Sequence, residues 1–363
     1  MLKKQAVTRG APGADEGNMT AESIYEDLKA KLADVVPDAE LRLKAETAFE
    51  VQRLKTERNA VILAHNYMEP ALYLSVPDHA GDSLELSRRA ADTEADVIVF
   101  CGVRFMAETA KILSPEKTVL VPHKDAGCSL AASITAEDVR QLRERFPGVP
   151  IVTYINTYAD VKAESDICCT SANAAAIVAS MKTDTVICIP DEYLSRNVAR
   201  ETGKHIIFPT RDLPAGGGDG ELEYQMIGWP GRCEVHEKFT VEDISQVRAQ
   251  FPDALILSHP ECSPEVVEAS DFSGSTSAMI RHVKETEAPR YLLLTECAMG
   301  DNIAAENPDK EMLRLCSVRC PHMNLITLEA TRDALLFNQY VIEIPEEIRV
   351  RAVRSVERML AAV

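Results

Sequence analysis

Positive charge is scarce in this chain. Across 363 residues, 39 Lys and Arg stand against 57 Asp and Glu, a formal net charge of −18, with a pI near 5.0. An acidic excess of that size repels phosphate backbones and anionic lipid heads, which argues against nucleic acid and membrane surfaces as partners. Small-molecule substrates, anionic ones included, stay open, because a pocket of local donors overrides net charge. Apolar runs never approach the roughly 18 residues of a membrane span, and the opening MLKKQAVTRGAPGADEGNMT holds no apolar signal core. Together these absences predict a cytosolic protein. Walker A, GxGxxG, HExxH and paired CxxC sequences are also missing, which removes the common nucleotide, zinc-protease and zinc-finger readings. GGGDG at 216–220 lacks the Lys-Ser/Thr of a phosphate loop; with PTRDLPA before it, it reads as a flexible insertion over 209–228.

What is present suffices for a large core: 46% of residues are hydrophobic and 26% charged. The length suits two or three domains, at about 150 residues each. Residues 1–20 are polar and aperiodic and predict a mobile tail. Helical patterns follow in AESIYEDLKAKLADVV and DAELRLKAETAFEVQRLKTERN. From residue 60, short apolar runs alternate with amphipathic stretches: AVILAHN, DVIVFCG, KTVLVPH, VPIVTYIN, DTVICIP, KHIIF, ALILSHP, RYLLLTE and KEMLRLC. Near-continuous Val/Ile/Leu runs between helices predict parallel strands covered on both faces, hence an α/β fold. Ten cysteines are many, yet a reducing cytosol disfavours a disulfide framework. Most, such as Cys101 and Cys188, sit in apolar runs where a thiol serves as a small buried hydrophobe.

An internal repeat organises the chain. Shifted by 105 residues, segment 128–171 overlies 233–276 without a gap and with 12 identities in 44 pairs, among them Cys128/Cys233, Thr135/Thr240 and Asp166/Asp271. Chance gives roughly two or three. A fainter third copy places VILAHNY beside IVTYINT and LILSHPEC, and Cys320 beside Cys128. Seven residues after each cysteine stands a threonine (Thr135, Thr240, Thr327), and nine after stands a glutamate (Glu137, Glu242, Glu329), a helix-start signal. The predicted architecture is therefore three similar parallel-sheet α/β domains in pseudo-threefold arrangement around a central site. The boundaries are 1–20 for the tail, 21–125 plus 324–363 for the first domain, 126–230 for the second and 231–323 for the third.

Functional groups of parallel α/β units gather beyond strand carboxyl ends. That rule selects His65-Asn66-Tyr67, Tyr154-Ile155-Asn156 and His259-Pro260-Glu261, where His65, Tyr154 and His259 are repeat equivalents, as are Tyr67, Asn156 and Glu261. A polar residue after a strand is usually a satisfied loop group. Six at equivalent places with different chemistry suit one asymmetric substrate better. Asp82-Ser83, Thr170-Ser171 and Ser275-Thr276 each open a helical stretch, where they either cap the helix or bind carboxylate or phosphate. One cysteine per unit at a shared axis points to a three-cysteine metal site, for zinc or an iron–sulfur cluster.

These residues resemble the quinolinate synthase family, the iron–sulfur enzymes of de novo NAD biosynthesis. The resemblance runs from about 55 to 345 and rests on LAHNYMEP, GDSLELSRRAA, VFCGVRFMAETAKIL, PHKDAGCSLA, TYINTYADVKAESDICCTSANA, WPGRCEVHEKF, HPEC, SGSTSAM and CPHMNLITLE. It implies three α/β domains and condensation of iminoaspartate with dihydroxyacetone phosphate to quinolinate, phosphate and water. By the same resemblance, Cys128, Cys233 and Cys320 hold one [4Fe–4S] cluster per chain, with one iron left open as a Lewis acid. His65, Tyr67, Ser83, Tyr154, Asn156, Ser171, His236, His259, Glu261, Ser275 and Thr276 are then expected to line the site. Glu261 is the expected proton-transfer group, assisted by Tyr67, His259 and His65. A functional link to an aspartate-oxidising enzyme that supplies the imine is part of the same expectation. The competing readings are another hydro-lyase with a three-cysteine [4Fe–4S] cluster and a non-catalytic metal- or solute-binding protein of triplicated α/β units.

Overall fold

The computed structural model describes residues 19–209, 224–313 and 318–362. Three parallel sheets carry the fold. The first holds β1 (Ala60–His65), β2 (His79–Gly81), β3 (Val97–Cys101) and β4 (Thr118–Leu120), in the order β2-β1-β3-β4. The second holds β5 (Ile151–Tyr154), β6 (Ile167–Cys169), β7 (Val186–Ile189), β8 (Ile206–Ile207) and β9 (Met226–Gly228), in the order β6-β5-β7-β9-β8. The third holds β10 (Ala254–Ser258), β11 (Phe272–Ser273), β12 (Arg290–Leu294) and β13 (Glu311–Leu313), in the order β11-β10-β12-β13. Apart from the edge strand β8, the winding is the same three times. The fold is α/β, with three similar units.

The strands form where the apolar runs stand. All five residues of β3 and all four of β5 and β7 are buried, as expected of sheets covered by helices on both faces. One carboxylate device recurs in every unit. Asp78, Asp166 and Asp271 each accept the backbone N–H of the first strand, from Ile62, Ile151 and Ile256, all at 2.8 Å. Each also pairs with a cation: Lys55 at 2.8 Å, Arg143 at 3.1 Å and Arg248 at 3.0 Å. The three threonines cap their helices, accepting from Asp138 and Asp243 at 3.2 Å and from Ala330 at 3.1 Å.

Residues 1–18, which include most of the expected tail, and 210–223, which include most of the expected insertion, lie outside the described residues. The end of that insertion is strand: Met226–Gly228 pairs with β7 and completes the second sheet. After the third unit the chain returns to the first. Helix Leu328–Phe337 packs on helix Asp38–Glu57, and Val341 bridges Leu120 at the edge of β4. The final helix, Glu346–Ala361, then crosses to the second unit, where Ser355 Oγ donates to Lys162 O at 2.9 Å. Among the described residues no helix is long and apolar enough to cross a membrane.

Candidate active site

Strands β1, β5 and β10 lead each sheet's winding, and their carboxyl ends open on one cavity. Its wall carries His65, Tyr67, Tyr154, Asn156, His259 and Glu261 from the strand ends, Ser83, Ser171 and Thr276 from the following turns, and His236 beside Cys233. Cys128, Cys233 and Cys320 stand in the same wall. Ser275 alone of the expected residues does not line it. That hydroxyl caps helix Thr276–Glu285, accepting from Ala278 N–H at 3.3 Å, and donates to Asp82 Oδ2 at 2.9 Å. Asp82 in turn caps helix Ser83–Asp92 through Leu84 and Glu85 N–H, both at 3.1 Å. Ser275 thus caps without lining the cavity and Thr276 lines it, whereas Asp82 does both.

Glu261 is the hub. Tyr154 donates its phenol to Glu261 Oε1 at 2.5 Å, Asn156 Nδ2 donates to the same oxygen at 3.3 Å, and His236 Nδ1 lies 2.7 Å from Oε2. Burial opposes the carboxylate, but His236, His259 and the hydrogen bonds from His236 and Tyr154 outweigh it and hold Glu261 below the ordinary glutamate range. The other face of His236 continues the network. Nε2 lies 2.9 Å from Thr295 Oγ1, which is 2.6 Å from the Tyr67 hydroxyl. His236 also stacks on His259, with centroids 4.6 Å apart.

Two histidines are built alike. His65 Nδ1 accepts Tyr67 N–H and His259 Nδ1 accepts Glu261 N–H, each at 3.3 Å. An acceptor Nδ1 leaves the proton of a neutral ring on Nε2. Burial, only partly offset by nearby carboxylates, lowers His65 to about 4 and His259 to about 3. Both rings are therefore neutral donors at physiological pH. Burial likewise pushes the Tyr67 and Tyr154 phenols well above their usual range, so both stay protonated.

The cysteines repeat one local structure. Each thiol faces the backbone N–H groups two and three residues on: Leu130 and Ala131 for Cys128, Val235 and His236 for Cys233, His322 and Met323 for Cys320. Burial pushes Cys128 to about 12, Cys320 to about 11 and Cys233 well above the usual thiol range. Those N–H pairs favour thiolates that burial alone forbids, so this donor set fits a cationic group able to displace the protons. Among the described residues, the ligand atoms close enough together for a single ion belong to Cys233, His236 and Glu261. The three sulfurs do not form such a set, which suits a group larger than one ion. By contrast Cys101, Cys168, Cys169, Cys188 and Cys262 are buried thiols. Cys316 lies outside the described residues.

Some site residues escaped sequence reasoning. Thr295 and Glu296 follow β12 at its carboxyl end, the signal that selected the other strand ends, but β12 is the third strand of its unit. Glu296 lines the cavity, and burial raises its carboxyl to about 7. Asn66, already selected within His65-Asn66-Tyr67, makes a contact that the sequence does not show: its Nδ2 donates to Thr276 Oγ1 at 2.9 Å across two units.

Residues 49–361 match the family described as quinolinate synthetase A protein. Among similar proteins, "Quinolinate synthase 2" of Mesorhizobium japonicum is 54% identical over 308 residues, covering 85% of this chain and 89% of its own length. "Quinolinate synthase" of Xylella fastidiosa is 51% identical over 332 residues, 91% of this chain and 92% of its own. "Quinolinate synthase" of Agrobacterium fabrum is 49% identical over 342 residues, 94% of this chain and 92% of its own.

Proposed function

The chain belongs to the quinolinate synthetase A protein family, and we propose that it condenses iminoaspartate with dihydroxyacetone phosphate to give quinolinate, phosphate and water. The observation that carries this reading is the meeting of three equivalent cysteines and one hydrogen-bonded glutamate in a single cavity. Cys128, Cys233 and Cys320 would hold a [4Fe–4S] cluster, which with only three protein thiolates supplies an iron free to act as a Lewis acid.

The protein residues divide the remaining work. Ionised Glu261 takes a proton from the condensing substrate, and neutral Tyr154 and Asn156 fix the carboxylate that receives it. His236, Thr295 and Tyr67 form a chain of exchangeable protons leading away from Glu261. The Nε2–H groups of His65 and His259 donate to substrate oxygens that gain negative charge. Ser83 and Thr276 sit at the first positions of their helices, where free N–H groups and hydroxyls receive carboxylate or phosphate. Ser171 contributes a further hydroxyl. Because no lysine or arginine lines the cavity among the described residues, anions are bound there by dipoles and hydroxyls. Small molecules are thus the partners, with the imine delivered by an aspartate-oxidising enzyme, and a soluble cytoplasmic setting suits both.

Anaerobic turnover tests the proposal. Iron-replete protein given iminoaspartate and dihydroxyacetone phosphate should form quinolinate and release phosphate. A colourless, iron-free protein, or an iron-replete one that forms no quinolinate from both substrates, would reject it.

A further inference from the structure

Three loop residues that are repeat equivalents, Tyr67, Asn156 and Glu261, each sit between two backbone carbonyls held by a single nitrogen. Asn302 Nδ2 donates to Asn66 O at 3.1 Å and Met68 O at 2.9 Å, on either side of Tyr67. Asn197 Nδ2 donates to Pro260 O at 2.9 Å and Cys262 O at 3.0 Å, on either side of Glu261. Lys162 Nζ donates to Ile155 O at 2.9 Å and to Thr157 O, on either side of Asn156.

The clamps follow the repeat, with one exchange. Asn197 and Asn302 stand 105 residues apart, on the helices Glu192–Thr202 and Cys297–Glu306, so each unit sends its asparagine into the loop of the next. The first unit's counterpart is Glu108, 89 residues before Asn197, the same spacing that separates Tyr67 from Asn156. A carboxylate cannot donate to carbonyls. Glu108 instead accepts Ala159 N–H at 2.8 Å and pairs with Arg104 at 2.8 Å, while Lys162 supplies the missing donor from within the second unit. The repeat equivalent of Lys162 is Val267, half-buried among apolar residues, so packing alone does not ask for a lysine there.

Cost points the same way. Lys162 is fully buried, and Asn197 and Asn302 are 7% and 2% exposed. The Oδ1 atoms of both asparagines are buried with no hydrogen-bond partner among the described residues. An unmet buried acceptor and a buried ammonium are each unfavourable, so these side chains are kept for their nitrogens. Neighbouring loops that must present different side chains at one point gain from such bracing.

We propose that Asn302, Lys162 and Asn197 are positioning residues, each clamping the two carbonyls that flank Tyr67, Asn156 or Glu261 and so aiming that side chain into the cavity. The assignment of what those three residues do rests on the proposed function; the clamping itself does not.

Double-mutant cycles on the iron-replete protein test the pairing, read as quinolinate affinity. Lys162→Met should weaken binding about tenfold, Lys162→Gln less because it keeps a donor, with iron content unchanged. In an Asn156→Ala background the effect of Lys162→Met should vanish, whereas with Tyr67→Phe it should remain in full. Asn302→Ala should show the reverse pattern. Effects of equal size in every background would mean general destabilisation and overturn the proposal. Amide hydrogen exchange supplies a measurement independent of ligand. Lys162→Gln should speed exchange at 155–158 alone, Asn302→Ala at 66–68 alone and Asn197→Ala at 259–262 alone. Uniform or absent acceleration would overturn it. A parent protein that binds no quinolinate would reject the proposed function and leave the exchange results to decide the clamps.

Discussion

Tyr154 and Glu261 come from different units, yet the phenol of one donates to the carboxylate of the other at 2.5 Å. Their equivalents in the repeat are His259 and Asn156, which also reach the cavity. Duplicated strand ends thus meet as unlike partners, an acid–base pair assembled from two copies of one element.

That pair makes the first prediction. Glu261→Gln keeps the side-chain shape and an oxygen for Tyr154 but removes the base. Iron content and quinolinate affinity should stay near the parent's while kcat falls by about 10²–10⁴-fold, the usual contribution of a positioned general base. A kcat within a few-fold of the parent's would remove Glu261 from proton transfer.

Tyr67→Phe breaks the far end of the chain through Thr295 and His236. We expect kcat to fall about tenfold with iron retained, as for loss of one hydrogen bond to a group that changes charge. Thr295→Val interrupts the same chain, so the double variant should be little worse than either single one. Strictly additive losses would show that the two hydroxyls act separately.

For the cysteines, Cys128→Ala, Cys233→Ala and Cys320→Ala should each lose iron, measured by metal analysis and visible absorption. Cys101→Ala should keep it, since that thiol is buried on β3 beside Thr331, at 3.4 Å. Full iron in Cys320→Ala would move the ligand assignment toward Cys316.

Acid stability follows from Lys44, which bridges Glu69 and Glu329, each at 3.1 Å, and so ties the first unit to the returning C-terminal segment. Burial works against both Lys44 and Glu329; the carboxylates outweigh it and raise Lys44, while the Glu329 backbone N–H and then Lys44 outweigh it and lower Glu329. A carboxyl lowered in the folded state adds stability above its unfolded pKa of about 4.3, and that stability is lost as pH falls through the folded value. Glu329→Gln should therefore cost a partly exposed pair's share, about 0.2–1 kcal/mol, at pH 7 and less near pH 3, as the carboxylate is protonated. Thermal melts at both values check this; an equal deficit at both would assign the loss to packing.

The sequence disclosed the elements that carry a period or a run. All nine apolar runs contain strands, and the Thr-Glu spacing found three capped helices. Strands β2, β6, β9 and β11 were not legible, because each holds at most one Val, Ile or Leu and so stands in no apolar run. Repeat arithmetic located Tyr67, Asn156 and Glu261, since strand ends in a duplicated sheet must coincide in space. It did not reach Thr295, and it selected Asn66 without its partner Thr276, because both contacts depend on which hydroxyl or amide a neighbouring unit brings within 3 Å. Nor does spacing distinguish a capping hydroxyl from one that faces the cavity.

Ser275 and Thr276 put that distinction to the test. They are adjacent and both buried, but their hydroxyls are committed differently. Ser275 spends its proton on Asp82 and its lone pair on Ala278 N–H. Thr276 Oγ1 accepts from Asn66 Nδ2 at 2.9 Å, which leaves its own proton free to donate, and it lines the cavity. A hydrogen bond to a charged group contributes about 1.5–3 kcal/mol. Thr276→Val preserves the shape and removes that donor, so quinolinate should bind about tenfold more weakly, about 1.4 kcal/mol, with iron content unchanged. Ser275→Ala should instead lower stability by about 1 kcal/mol, as expected of a lost helix cap, with affinity little altered. Calorimetric titration and thermal melts on both variants separate the two effects. Unchanged affinity in Thr276→Val, and again in Ser171→Ala, would mean that the anion is held elsewhere on the cavity wall.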